Sequence, residues 1–307
     1  VLGRRLASAA VLITTMILLL WADFSLGQPD SLGRSGVLLA ILCVIISTAA
    51  ADEFHRLWKG TGCHPSWLMM VGAAVMVSMS NLPVFWKDYP ADCPIGKLGW
   101  TLSGVGAAVL IAFAYEMLTF DPESASAESN RGAVATRIGK SSLAFVYIAM
   151  LFGFVLSHRQ IQDNNHLGVA AIVLIIATTK LSDSFAYFVG KAIGSRKVAP
   201  KLSPNKTVEG AFGAIVGGIV GAAIVVFLVS PFIIEVTIPK PWWWFLVYGV
   251  AVTLAGMVGD LAESLLKRDA QIKDSSSWLP GLGGVLDVID SLVFAAPVSF
   301  VIWLIGN

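Results

Sequence analysis

Asp260, Glu263, Ser264 and Lys267 stand at i, i+3, i+4 and i+7 in an otherwise apolar stretch. That spacing puts all four on one face of a helix. Arg268, Lys273 and Asp274 follow, then the glycine-rich run Leu279-Pro-Gly-Leu-Gly-Gly284, then Asp287 and Asp290 one helical turn apart with Ser291 beside them. Carboxylates that can hold Mg²⁺, with lysines and arginines to neutralise phosphates, are what transfer of a nucleotidyl group requires. Mg²⁺ is usually held by one or two carboxylates plus substrate oxygens and waters, and Asp260 and Asp287 on adjacent helices are the ligands expected here, with a two-metal arrangement as an extension. The glycine-rich turn can turn backbone N–H groups toward an anion. The plainer alternative is that these acids only pair with Lys267, Arg268 and Lys273, while Asp287 and Asp290 serve a helix N-terminus.

Two further stretches place charge at the membrane edge, where ionisable groups usually face a cavity or a partner. In Lys180-Leu-Ser-Asp183-Ser-Phe-Ala-Tyr187, helical spacing puts Thr179, Ser182, Asp183 and Tyr187 on one face, with a self-neutralising Lys180–Asp183 pair as the simple alternative. Next comes a basic loop with Lys191, Arg196, Lys197, Lys201 and Lys206, ending Ser203-Pro-Asn-Lys206-Thr207-Val-Glu209-Gly210 before an apolar run. Hydroxyls, lysines and a helix N-terminus together suit a phosphate. The same loop would also obey the positive-inside rule or touch anionic headgroups.

The elements that must position these residues are transmembrane helices. Of the 307 residues, 56% are hydrophobic and 13% charged, against about 25% charged in soluble domains; the mean hydropathy is +0.77. A spanning helix takes roughly 20 apolar residues, and lipid tolerates only backbones that satisfy their own hydrogen bonds. The expected fold is therefore all-α, a polytopic bundle of about nine spanning helices near 6–26, 35–51, 66–86, 98–120, 140–157, 167–190, 209–231, 242–264 and 284–305. The run after Arg4 and Arg5 is read as a first helix rather than a leader peptide, because it is long enough to span and no small-residue cleavage site follows. Trp242–Trp244 reads as an interfacial belt. Residues 1–120 form N-terminal helices of unclear role, 121–139 a polar cytoplasmic loop, and 140–307 the catalytic region. Most of the 21 lysines and arginines fall on the side that carries the Lys191–Lys206 and Lys267–Lys273 loops, so that side is expected to face the cytoplasm in a cell (inner) membrane. Cys43, Cys63 and Cys93 form no CxxC pair and suggest neither a disulfide framework nor a zinc site.

The stretch from Ser264 to Asp290 resembles the phosphatidate cytidylyltransferase (CDP-diacylglycerol synthase) family. Its order of Ser, Lys-Arg, Lys-Asp, Leu-Pro-Gly-x-Gly-Gly, Asp and Asp follows the family signature without a gap, and the blocks Ser182–Lys191 and Lys201–Gly210 are similar as well. Leu282 and Val288 stand where the family usually has His and Arg. The resemblance covers roughly residues 175–291 and implies a divalent metal at Asp260 and Asp287. It also implies phosphatidate and CTP as substrates, membrane lipids as surroundings, no nucleic acid, and a homodimer as a possible assembly.

The expected reaction has a phosphatidate oxygen attacking the α-phosphorus of CTP, with pyrophosphate leaving. Phosphatidate is already an anionic nucleophile, so no general base is required and a leucine at 282 is tolerable. Catalysis then rests on positioning and charge stabilisation. Asp260, Asp287, Lys267 and Lys273 are the expected catalytic residues. Lys206, Arg268, Ser203, Ser264, Asp183, Glu209, Asp274 and Asp290 are expected to bind substrate or orient those that do. Rival readings are an ion-coupled transporter, a CTP-dependent lipid kinase and an inactive lipid-binding member; the helix pattern of CDP-alcohol phosphotransferases is missing.

Overall fold

A computed structural model describes residues 2–26, 36–59, 64–79, 96–121, 132–161, 164–272, 275–276, 278 and 283–305. Lys273, Asp274 and Leu282 lie outside the described residues.

The described residues form nine helices: α1 Leu2–Leu26, α2 Val37–Trp58, α3 Trp67–Met79, α4 Gly96–Leu118, α5 Ala133–Arg159, α6 Asn165–Ile193, α7 Val208–Phe232, α8 Trp244–Asp269 and α9 Val285–Leu304. Seven are long and apolar enough to cross a membrane: α2 and α4 to α9. The chain is thus a multi-pass all-α membrane protein, and the expected nine spans become seven on this criterion. The apolar part of α1 is Ala10–Leu26, and α3 has 13 residues. At 1.5 Å per residue α3 rises about 20 Å, short of a hydrocarbon core of about 30 Å. The segment expected as a polar loop over 121–139 is helical from Ala133, where Arg137 forms a forked ion pair with Glu116 of α4 (Nη2–Oε2 2.5 Å).

A two-stranded hairpin, β1 Lys197–Ala199 and β2 Ser203–Thr207, interrupts the helical pattern. It pairs Lys197 with Thr207 and Ala199 with Ser203. Pro204 is tolerated there because a two-stranded ribbon consists of edges. Thr207 then caps α7, its hydroxyl accepting from Gly210 N–H at 3.1 Å, as the sequence before that helix suggests.

Small residues set the helix spacing. Along α7, Gly213, Gly217 and Gly221 recur every four residues against α6. A Cβ at Gly217 would lie 2.7 Å from the Leu181 carbonyl oxygen, and one at Gly221 2.8 Å from that of Ala177. Backbones that approach this closely gain dispersion contacts, the main attraction between helices in lipid. The same device joins α8 to α7, where a Cβ at Gly249 would meet Ile219 Cα at 2.8 Å. The four C-terminal helices are thus held close enough for short acidic side chains to meet. Of the three tryptophans expected as a belt, Trp242 and Trp243 are exposed and Trp244 is buried against Trp303 and Tyr248.

Candidate functional site

The site forms where α6 and α8 end and α7 and α9 begin. A cavity of about 340 Å³ opens there, with Asp183 of α6, Lys206 and Ser203 of β2, and Asp260 of α8 in its wall.

Behind the cavity, carboxylate oxygens of Asp260, Glu263 and Asp290 lie within 4.8 Å of one another. Glu263 is 2% exposed and Asp290 8%. Glu263 Oε2 pairs with Lys267 Nζ at 2.6 Å, one turn along the same helix. Glu263 Oε1 is buried and has no hydrogen-bond partner among the described residues. An unpartnered carboxylate oxygen is costly to bury, and this one belongs to a three-acid cluster. All-oxygen donor sets suit hard divalent cations, so the cluster fits such an ion. Asp290 Oδ1 accepts from Ser291 N–H at 2.5 Å and from its hydroxyl at 3.2 Å. Asp260 Oδ2 lies 2.5 Å from Lys206 Nζ, which ties the hairpin to α8.

Asp287 occupies different surroundings. Its Oδ1 pairs with Lys267 at 2.6 Å. Its Oδ2 accepts from Gly284 N–H at 2.6 Å and from the Ser275 hydroxyl at 2.9 Å. Asp287 therefore caps α9 from its first turn, and Lys267 bridges it to Glu263. For this residue the plainer helix-terminus reading describes the contacts; for Asp260, Glu263 and Asp290 it does not.

The remaining expected residues divide in the same way. Asp183 pairs with Lys180 at 3.4 Å, both half-exposed, and the Ser291 hydroxyl lies 3.5 Å from it. Lys180 also donates to the Val288 carbonyl at 3.1 Å, which ties α6 to α9. Arg268 donates to the carbonyls of Leu202 (3.2 Å) and Ile272 (3.3 Å), bracing the hairpin turn against the end of α8. Glu209 accepts from the Ser195 hydroxyl at 2.6 Å and the N–H groups of Ser195 and Arg196, closing the turn before β1. Ser264 lies on α8 a turn past Asp260. The N–H groups of Gly284, Val285 and Leu286 go to Asp287 and Glu53, so at these positions the glycine-rich turn serves internal carboxylates rather than a free anion.

Two residues escape the sequence reading of the site. Glu263 stands on the helix face that the sequence marks out with Asp260, but the metal ligands expected there are Asp260 and Asp287. Glu53 in α2 is 1% exposed and bonded to the segment before α9. Its only sequence signal is an acid pair, Asp52-Glu53, closing an apolar helix.

Fold and site together define a polytopic membrane protein with a buried acidic cluster able to hold a divalent cation beside a cavity that has Lys206 in its wall. The chain belongs to the Cytidylyltransferase family, whose profile matches residues 3–305, in keeping with the resemblance carried by residues 264–290. It is 40% identical over 161 residues to the phosphatidate cytidylyltransferase of Chlamydia muridarum, covering 52% of this chain and 50% of that protein. It is 39% identical over 160 residues to that of Bacillus subtilis, covering 52% and 56%. To that of Chlamydia pneumoniae it is 28% identical over 309 residues, covering 99% and 92%. The chain spans about half the length of the first two relatives and nearly all of the third.

Proposed function

We propose that the chain is a membrane-embedded cytidylyltransferase that converts phosphatidate and CTP to CDP-diacylglycerol and pyrophosphate. The observation that carries this reading is the three-acid cluster of Asp260, Glu263 and Asp290, with its unpartnered buried oxygen, beside Lys206 at the cavity wall. The names of the relatives supply the substrates.

In this reading Asp260, Glu263 and Asp290 hold Mg²⁺, and a second ion would have to draw on Asp183 or on Asp287 after Lys267 leaves it. The bound cation would supply charge neutralisation for the two phosphate groups that the new P–O bond joins. Lys206, once its ammonium leaves Asp260, is free to grip a phosphate; Arg268 and Lys273 add positive charge, and Ser203 and Ser264 add hydroxyl donors. Lys267 keeps Glu263 and Asp287 in register. Asp274 orients neighbouring cations. A phosphatidate oxygen attacks the α-phosphorus of CTP, that P–O bond forms as the bond to pyrophosphate breaks, and no protein base is needed.

The proposal further has residues 1–120 supporting the catalytic region 140–307 and the site facing the cytoplasm, in keeping with the crowding of basic residues on that side. The test is incubation of purified protein with labelled CTP, phosphatidate and Mg²⁺. Labelled CDP-lipid with pyrophosphate is expected. Phospholipid with CDP would mark a lipid kinase, and no CTP consumption would refute both.

A further inference from the structure

We propose that Glu53, on the N-terminal helix α2, is a positioning residue that holds the start of α9 in the register the acidic site requires. The inference rests on the cytidylyltransferase reading.

The Glu53 carboxylate is buried, and it receives hydrogen bonds only from neutral groups among the described residues. Oε1 accepts from the Ser276 hydroxyl at 2.6 Å and from Val285 N–H at 2.8 Å. Oε2 accepts from Leu286 N–H at 2.9 Å and lies 3.1 Å from the Ser275 hydroxyl. A carboxylate in lipid-embedded protein is costly unless its oxygens are satisfied, and three donors satisfy this one, with the Ser275 hydroxyl shared between it and Asp287. Two of them are free N–H groups in the first turn of α9, where a helix end carries partial positive charge. All four partners lie more than 220 residues away in sequence.

From Glu53 a continuous path of contacts leads to the acids. Ser275 sits between Glu53 and Asp287, its one hydroxyl proton within reach of both carboxylates. Asp287 holds Lys267, and Lys267 holds Glu263 of the three-acid cluster. Gly284 is fitted to the same arrangement: a Cβ there would lie 2.5 Å from Glu53 Oε2. A second contact seats α2 on this segment, with the Arg56 guanidinium 5.7 Å from the Trp278 ring centre while pairing with Asp52 at 2.7 Å. A residue that merely filled space would need none of this directionality. Glutamine in its place would turn an N–H₂ group toward donors.

Two measurements on the full-length protein in detergent test the proposal. In hydrogen exchange without substrate, Glu53→Gln should speed exchange of the peptide spanning 283–288 about tenfold or more while the peptides around Asp23 and Arg159 stay as in wild type. In turnover of CTP and phosphatidate, the same variant should lose about tenfold or more in kcat, with KM for CTP within about threefold. Ser276→Ala, which leaves α2 untouched, should move both readouts in the same direction by a smaller factor, and serves if Glu53→Gln does not fold. Unchanged exchange over 283–288, or kcat within twofold of wild type, overturns the assignment. Wild-type protein that makes no CDP-lipid would sink the functional reading alone, since the exchange comparison needs no substrate.

Discussion

Two of the buried charged centres among the described residues, one at each end of α5 and α6, are built on opposite terms. At the distal end Asp23 of α1 and Arg159 of α5 form an ion pair at 2.8 Å with 1% and 0% of their side chains exposed. Asp23 also accepts from the N–H groups of Gly36 (2.9 Å) and Leu38 (3.0 Å), and Arg159 donates to Asn165 Oδ1 at 2.5 Å. Nearby, His158, Ser299 and Tyr248 form a closed chain with two contacts of 2.6 Å. Charge is matched and donors meet acceptors. At the other end three acids crowd together, one oxygen is left over, and a cavity adjoins them. Full internal satisfaction marks the first centre as a staple between helices; surplus negative charge beside open space marks the second as a place for something brought from outside.

The largest test of that contrast is Arg159→Met. It leaves Asp23 as an unpaired buried charge and should cost about 3–5 kcal/mol of stability, read as a lower unfolding midpoint in detergent, with turnover per folded molecule unchanged. Loss of turnover without a shift in midpoint would erase the distinction between the two ends. Next come Asp260→Asn and Asp290→Asn. Each should lower kcat by about 100-fold or more, or roughly 2.7 kcal/mol, with a midpoint close to wild type; chelation with EDTA should do the same to the native protein and be reversed by Mg²⁺. Full activity in both variants would remove the cation site. Gly217→Val should cost about 1–3 kcal/mol of stability by overpacking α6 against α7, and measured activity should fall with the folded fraction. The smallest effect is expected for Lys206→Met, about tenfold in kcat/KM for CTP or roughly 1.4 kcal/mol. Tighter binding of Mn²⁺, followed by its paramagnetic signal, should accompany it, because the competing ammonium is gone.

How much of this could be read beforehand depended on whether the cause was local. Helix positions follow from apolar run length, so helices appear where the sequence places them. Their ends shift where polar residues continue a helix beyond the apolar run, as at Asp52-Glu53 in α2 and Arg137 in α5. The Asp260–Glu263–Lys267 face was legible because helical spacing is a local property. The hairpin was not, because its strands take their order from cross-strand pairing and from Glu209 and Arg268, each bonded to one end of it. The reach of Glu53 was hidden for the same reason: it depends on which helix end arrives next to which carboxylate, and sequence distance carries no trace of that, whereas the helix-terminus role of Asp287 is local and was one of the two readings its position allowed.

The pairs Lys180–Asp183 and Glu263–Lys267 each lie within a single helix. A nascent α6 or α8 therefore carries part of its own counter-charge as it leaves the ribosome, which lowers the penalty of moving those carboxylates into the bilayer before any neighbour exists. Helix α9 has Asp287 and Asp290 and no basic residue at all. Of these two acids Asp287 is matched by a helix made earlier, through Lys267, whereas Asp290 has no ion pair among the described residues, so this last helix depends on an earlier one for its counter-charge.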